Sequence, residues 1–275
     1  GMRVDLDRYA DHASRLDLSG VDFGGCRARP LDAGSLRCLR YMHDVEHHTI
    51  CYLRDLLVTP AHRDPRVTTF LTLWSYEEMW HGEAIGRVLS AHGEEAGPAR
   101  VAQTRRGLGL RDRLAPTLHA LRSALAGSAF GALHMTWGAV NEWTTQAGYA
   151  RLIHRAQHPV LTDLLSRIMR QEGTHIAFYA SEADRRLRAH RRAQRLVRGA
   201  LARLWRPVGA GVMPPSEVAF MVRTLFGDAG GREVAVRIDR RIDRLPGLAR
   251  LGLVTGAVDR YGRMVEPGGR AASAA

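Results

Sequence analysis

Four stretches of the chain repeat apolar residues at intervals of three and four, the period that turns one face of an α-helix towards a core. From about Gly34 to Val58 the face reads Leu39, Met42, Glu46, Ile50, Leu53 and Leu57. Pro60 ends that segment, and Asp64 with Pro65 starts the next as N-cap and first helical residue. There Leu71, Trp74, Glu78, His81, Ile85 and Leu89 share a face until "AHGEEAGP" closes it. A third helical region, about 117 to 157, carries Met135, Ala139, Glu142, Gln146 and Tyr149, with a break expected near Ala126-Gly127-Ser128. After His158-Pro159 a fourth lines up Leu165, Ile168, Met169, Glu172, His175, Ile176 and Tyr179.

The remainder has a weaker pattern. Residues 2 to 33 read as an irregular N-terminal arm, and 94 to 115 as a long Gly- and Arg-containing connection. Two shorter amphipathic stretches fall near 215 to 226 and 231 to 244, before a Gly-rich end expected to fray. No strand-like alternation persists. The expected architecture is therefore all-α: a four-helix bundle over 34–206 with one long crossover, and a helical C-terminal extension over 207–275.

Each predicted bundle helix sets a carboxylate in its apolar face. Glu46, Glu78-x-x-His81, Glu142 and Glu172-x-x-His175 fall one set per helix, in that order. A single Glu-x-x-His is a weak signal, but six polar donors on four apolar faces are not a surface pattern. Residues at i and i+3 lie roughly 5–6 Å apart on a helix, so each Glu–His pair can grip one ion. Ionised carboxylates in a bundle core are costly unless paired or metal-bound, and two divalent metals would neutralise four of them. Oxygen and imidazole donors without thiolate suit iron, with manganese as the alternative, in the di-iron carboxylate pattern of ferritin-like bundles.

With these residues in place, the stretch from about 35 to 190 resembles the soluble acyl-carrier-protein desaturases, a family of di-iron enzymes. "WSYEEMWHG" is similar to that family's first Glu-x-x-His helix, "NEWTTQAGYARL" to its third-ligand helix and "QEGTHIAFY" to its second Glu-x-x-His helix. The resemblance implies a ferritin-like fold and two iron ions, one served by Glu46 and His81, the other by Glu142 and His175. Glu78 and Glu172 would bridge them. It further implies Thr145 as a proton-relay or hydrogen-bonding catalytic group and Glu77 as an acidic residue orienting a ligand histidine. Its expected partners are dioxygen, an acyl carrier protein or carrier-bound substrate, and a second copy in a homodimer. With no flavin, nicotinamide or haem motif visible, a ferredoxin-like protein is the expected electron donor. The chain departs from the family pattern at Gln171, where an acid is usual, and at Trp80 and Thr174, where arginine often precedes the ligand histidine.

Other di-iron chemistry stays open, as hydroxylation or N-oxygenation in a specialised pathway. An extra ligand histidine known in such enzymes would fall at Ile168, and a radical tyrosine at Ile85; neither is present. A ferritin-like iron store or ferroxidase is the alternative outside organic chemistry. His43, one turn before Glu46, reads as a solvated or partly buried histidine, or as a group behind the ligands; His47 and His48 point elsewhere on the wheel and His134 reads as structural.

Composition changes this picture in three places. The net charge is +12, and all 40 basic residues are arginine. Nine of them lie between Arg185 and Arg206, either a solvated face or a docking surface for an acidic protein; no recognised nucleic-acid motif accompanies them. Cys26, Cys38 and Cys51 are odd in number and widely spaced, which argues for buried thiols rather than a disulfide framework or a cysteine-based zinc site. No apolar run is long enough for a bilayer and no signal peptide is visible, so the expected location is the cytoplasm. Gly1 before Met2 reads as a cloning remnant.

Overall fold

The computed structural model describes residues 4–264, so the Gly-rich end and Gly1 lie outside the described residues. All named elements among them are helical. In chain order they are α1 (Leu6–His12), α2 (Gly25–Ala28), α3 (Ala33–Leu57), α4 (Pro65–Ala91), α5 (Pro98–Gly107), α6 (Gly109–Ala126), α7 (Phe130–Ala156), α8 (Pro159–Ala189), α9 (Arg191–Leu204), α10 (Pro215–Phe226), α11 (Ala229–Asp243) and α12 (Leu253–Gly262), with short 3-10 turns at Pro60–Arg63 and Gly127–Ala129.

The four expected helices are α3, α4, α7 and α8. α3 packs along α4, and α7 along α8, while α4–α8 and α3–α7 contacts close the bundle. Local chemistry sets their ends. Asp32 accepts from Ser35 N at 3.0 Å to cap α3, and Asp64 accepts from Arg66 N and Val67 N to cap α4, with Pro65 in the first turn. α7 ends at Gln157, which takes the left-handed φ of 46°, and Pro159 opens α8 directly afterwards. Towards one end of the bundle Phe70 stacks on Phe178 at 3.8 Å between ring centres, joining α4 to α8.

Two expectations are corrected. The arm is not wholly irregular: α1 and α2 dock on α4, burying Leu6, Tyr9 and Cys26. The connection over 94–115 is helical as well, holding α5 and the start of α6, both packed on α3. Glycine at 107 and 109 concealed this, because neither breaks the chain for more than one residue. The break near 127 is present, with Gly127 at φ 56° separating α6 from α7.

The arginine run divides. Arg185 and Arg186 pair with Glu182, Arg186 also with Asp64, and Arg188 with Asp184, so its first part stabilises α8. On α9, Ala193, Val197 and Leu201 face inwards while Arg191, Arg192 and Arg195 are exposed on a helix without acidic residues. Arg198 donates to the carbonyls of Gly247 and Ala249, holding the loop after α11 against α9. α10, α11 and α12 pack on one another and cover α7, with α10 reaching α3. No helix among the described residues is long and apolar enough to cross a membrane.

Candidate metal centre

The six expected ligands meet in the middle of the bundle, and all six are buried. Donor atoms of Glu46, Glu78 and His81 lie within 4.8 Å of one another, as do those of Glu78, Glu142, Glu172 and His175. Glu78 belongs to both groups. Its Oε2 lies 3.6 Å from His81 Nδ1 and its Oε1 3.2 Å from His175 Nδ1. Glu172 repeats the arrangement, with Oε1 3.3 Å from His81 Nδ1 and Oε2 3.0 Å from His175 Nδ1. Each of these carboxylates therefore faces both imidazoles, one oxygen to each, whereas Glu46 and Glu142 stand on opposite sides.

The imidazoles are turned by hydrogen bonds made at their outer nitrogens. His175 Nε2 donates to Glu77 Oε2 at 2.8 Å, and His81 Nε2 donates to Gln171 Oε1 at 3.0 Å. Those bonds hold a proton on Nε2 and turn Nδ1 of each ring towards the carboxylates. The pattern is crossed: the residue before each helix's ligand Glu orients the histidine of the other helix. Trp74 Nε1 donates to Glu142 Oε1 at 2.9 Å, and the Tyr149 hydroxyl donates to Glu46 Oε1. Each outer carboxylate thus has one oxygen fixed by an aromatic side chain.

In the metal-free protein the proton distribution follows from this packing. Burial, with Glu78 alongside, pushes Glu46 well above the carboxylate range, and burial with Glu172 and Glu78 does the same to Glu142. Burial also acts to raise Glu78, but its polar neighbours Glu46, His175 and His81 outweigh it and hold Glu78 well below. Glu172 is lowered, with burial and Glu78 opposed by the two histidines. Despite burial, the facing carboxylates raise His81 to about 9 and His175 well above its usual range.

These residues could hold metal on the geometry itself, in two donor groups that share Glu78. His81 Nδ1 and Glu172 Oε1 are buried and make no hydrogen bond although they face each other, as expected of donors placed for a common ion. The donor set holds oxygen and imidazole nitrogen without sulfur, unlike a soft-metal site.

Thr145, one turn after Glu142, lines two cavities beside Glu46. One, of about 90 Å³, is almost wholly apolar and runs between α3, α7 and the C-terminal helices, past Met42, Gly148, Met221, Leu225 and Val258. The other, of about 160 Å³, is walled by Trp74, Glu78, Gly138, Glu142 and Tyr179. The Tyr179 hydroxyl is buried there without a hydrogen-bond partner. A Cβ on Gly138 would lie 2.3 Å from the Tyr179 ring, so that glycine admits the tyrosine.

Sequence reasoning missed Trp74, Tyr149 and Tyr179 as parts of the centre, although all three sit on the predicted apolar faces. It also missed Tyr9, which donates to Glu77. His43 lies outside the centre: it hydrogen-bonds Asp44 at 2.9 Å and accepts from Gly97 N at 3.3 Å. Tyr52 bonds His134 at 3.1 Å. The three cysteines are free. His48, Cys51 and Asp112 also approach one another, but the Arg54 guanidinium grips Asp112 with both terminal nitrogens and disfavours a cation there. Comparison of the chain with protein-family models, with curated proteins and with solved structures yields no match in any of the three.

Proposed function

We propose that the chain is an oxygen-dependent oxidoreductase with two irons that introduces a double bond into a carrier-bound acyl chain. The observation that carries the two-metal part is the pair Glu78 and Glu172, each with one oxygen towards each ligand histidine. The apolar cavity beginning at Glu46 and Thr145 supports an apolar substrate. When bound, the metal pair supplies reduction of dioxygen and the oxidising power needed to take hydrogen from an unactivated C–H bond. The balance requires two hydrogens from the substrate, with two electrons and two protons from outside, so that dioxygen leaves as two waters.

The chain's own side chains do the rest. Met42, Met221, Leu225 and Val258 exclude water from the apolar cavity and hold a methylene chain against α7. Thr145 and Tyr179 line the second cavity, where the hydroxyl of each can pass or hold a proton beside Glu142. Glu77 and Gln171 keep the imidazoles in the metal-binding tautomer. Arg191, Arg192 and Arg195 offer a positive face to an acidic carrier or electron-donor protein. The proposed location is the cytoplasm.

Anaerobic loading with Fe2+ should leave about two irons per chain by elemental analysis. A single turnover with dioxygen, a chemical reductant and a saturated acyl-carrier thioester should then give a product lighter by two hydrogens in the mass spectrum. Gain of one oxygen atom would replace desaturation by oxygen insertion, and iron accumulating far beyond two per chain would replace both by storage.

A homodimer is proposed through the face shared by α3, α4 and α6. Leu110, Leu114, Leu118, Leu121 and Leu125 form an exposed stripe on α6, and Ile50, Tyr76 and Met79 extend it. Large contiguous apolar patches of this kind are rare on monomers. Light scattering should give twice the chain mass, falling to one for Leu118→Glu with Leu121→Arg at unchanged helicity. A monomeric wild type at micromolar concentration would remove the proposal.

A further inference from the structure

Glu77 and Gln171, the two residues that turn the ligand histidines, share a neighbour outside the bundle. Ser14 of the N-terminal arm donates its backbone N–H to Glu77 Oε1 at 3.4 Å and accepts from Gln171 Nε2 at 3.1 Å on its carbonyl. Gln171 Nε2 also approaches Glu77 Oε1 at 3.4 Å. The Tyr9 hydroxyl donates to Glu77 Oε2 at 2.7 Å, and its ring meets the His175 ring edge-on at 6.4 Å between centres. The backbone of one residue and one phenol of the arm therefore close the hydrogen-bond circuit behind both imidazoles.

This circuit accounts for an amide at 171. The side chain must accept from His81 Nε2 and donate to the Ser14 carbonyl, and a carboxylate can do only the first. Glu77, by contrast, receives donors only, from Tyr9, Ser14, Gln171 and His175, so a carboxylate serves there. The arm is secured for this task along its length. Arg66 donates to the Val4 carbonyl, the Arg15 guanidinium lies 4.3 Å above the Trp80 ring, and Arg167 donates to the carbonyls of Asp17 and Ser19 at 2.9 Å each.

We infer that the N-terminal arm is a positioning element of the metal centre: Tyr9 and the Ser14 N–H act through Glu77 on His175, and the Ser14 carbonyl acts through Gln171 on His81. The inference rests on the two-metal reading of the site and adds a coupling between the arm's seating and metal occupancy. Coupling of this kind is reciprocal, so a bound metal must hold the arm as much as the arm holds the metal.

The test uses Co2+, whose visible absorption reports the ligands around it, on the full chain. Changing groups behind metal ligands typically costs about 10–100-fold in metal affinity. Tyr9→Phe, one bond further out, is expected to weaken Co2+ binding by about 3–10-fold and to shift the absorption bands, at an unchanged helical signal in the metal-free protein. Ser14→Pro, which lacks the N–H, should do the same, and Tyr9→Phe carries the test should that variant misfold. In the wild type, Co2+ should slow backbone hydrogen exchange over residues 6–14. Wild-type affinity and spectrum in Tyr9→Phe, together with exchange in the arm indifferent to Co2+, would overturn the inference while leaving the metal centre intact. A wild type that takes up no Co2+ would instead remove the two-metal reading beneath it.

Discussion

Glu78→Gln is expected to remove both metal ions, while Glu142→Gln should remove only one. The difference follows from position: Glu78 stands in both donor groups and Glu142 in one. Glutamine keeps the shape of the side chain, but its amide nitrogen has no lone pair to offer, so one of the two metal contacts is lost outright. The remaining oxygen would also be neutral, leaving an excess of positive charge in a site sealed from water. Because outer-sphere changes alone cost about 10–100-fold, loss of a bridging carboxylate is expected to exceed about 100-fold at both positions. Glu172→Gln should behave like Glu78→Gln, and Glu46→Gln like Glu142→Gln, since Glu46 touches only the His81 side. Titration with Fe2+ or Co2+ under anaerobic conditions, followed by elemental analysis, separates stoichiometries near two, one and zero. Two ions retained by Glu78→Gln would show that the carboxylate does not bridge.

Metal loading is expected to release close to four protons per chain near pH 7. His81 and His175 are raised by their facing carboxylates, and Glu46 and Glu142 by burial, so each of the four holds a proton when the metals are absent. Glu78 and Glu172 are held ionised. Two divalent ions bring four positive charges, and displacing four protons keeps the buried site neutral. Acid therefore competes with metal: affinity should fall steeply below neutrality and rise with pH until His81 loses its proton near 9.

The stability sign runs the other way in the metal-free protein. A histidine raised on folding contributes stability that is complete below its unfolded value and lost as pH rises through its folded one. The raised Glu46 and Glu142 likewise cost stability as pH rises above the ordinary carboxylate range. The thermal gain on adding metal should consequently widen from pH 6 to pH 9. Calorimetric titration in buffers of different ionisation enthalpy counts the protons, and fewer than one per metal would contradict the assignment.

The six residues expected as ligands could be read as buried donors from the chain because helical period and burial are both local signals. A carboxylate three residues before a histidine, amid apolar neighbours, states its own face and its own cost. The caps at Asp64 and Pro65 and the break at Gly127 were legible for the same reason, since each is decided within a turn of the backbone. α5 and the first half of α6 were not legible, because their exposed, arginine-bearing pattern shows no clear apolar face.

Only the tertiary structure decided which groups stand behind the ligands. Glu77 reaches a histidine 98 positions away and Gln171 one 90 positions away, and nothing in either local pattern carries that pairing. Resemblance suggested that Glu77 orients a histidine, but not that the two orienting residues cross between helices. The arm shows the same limit most plainly. Tyr9 and Ser14 lie in a stretch without sustained period, yet they meet the centre through one hydroxyl and the backbone N–H and carbonyl of one residue. Periodicity reports the side a residue faces; a hydrogen bond between distant segments depends on where the packed helices bring them.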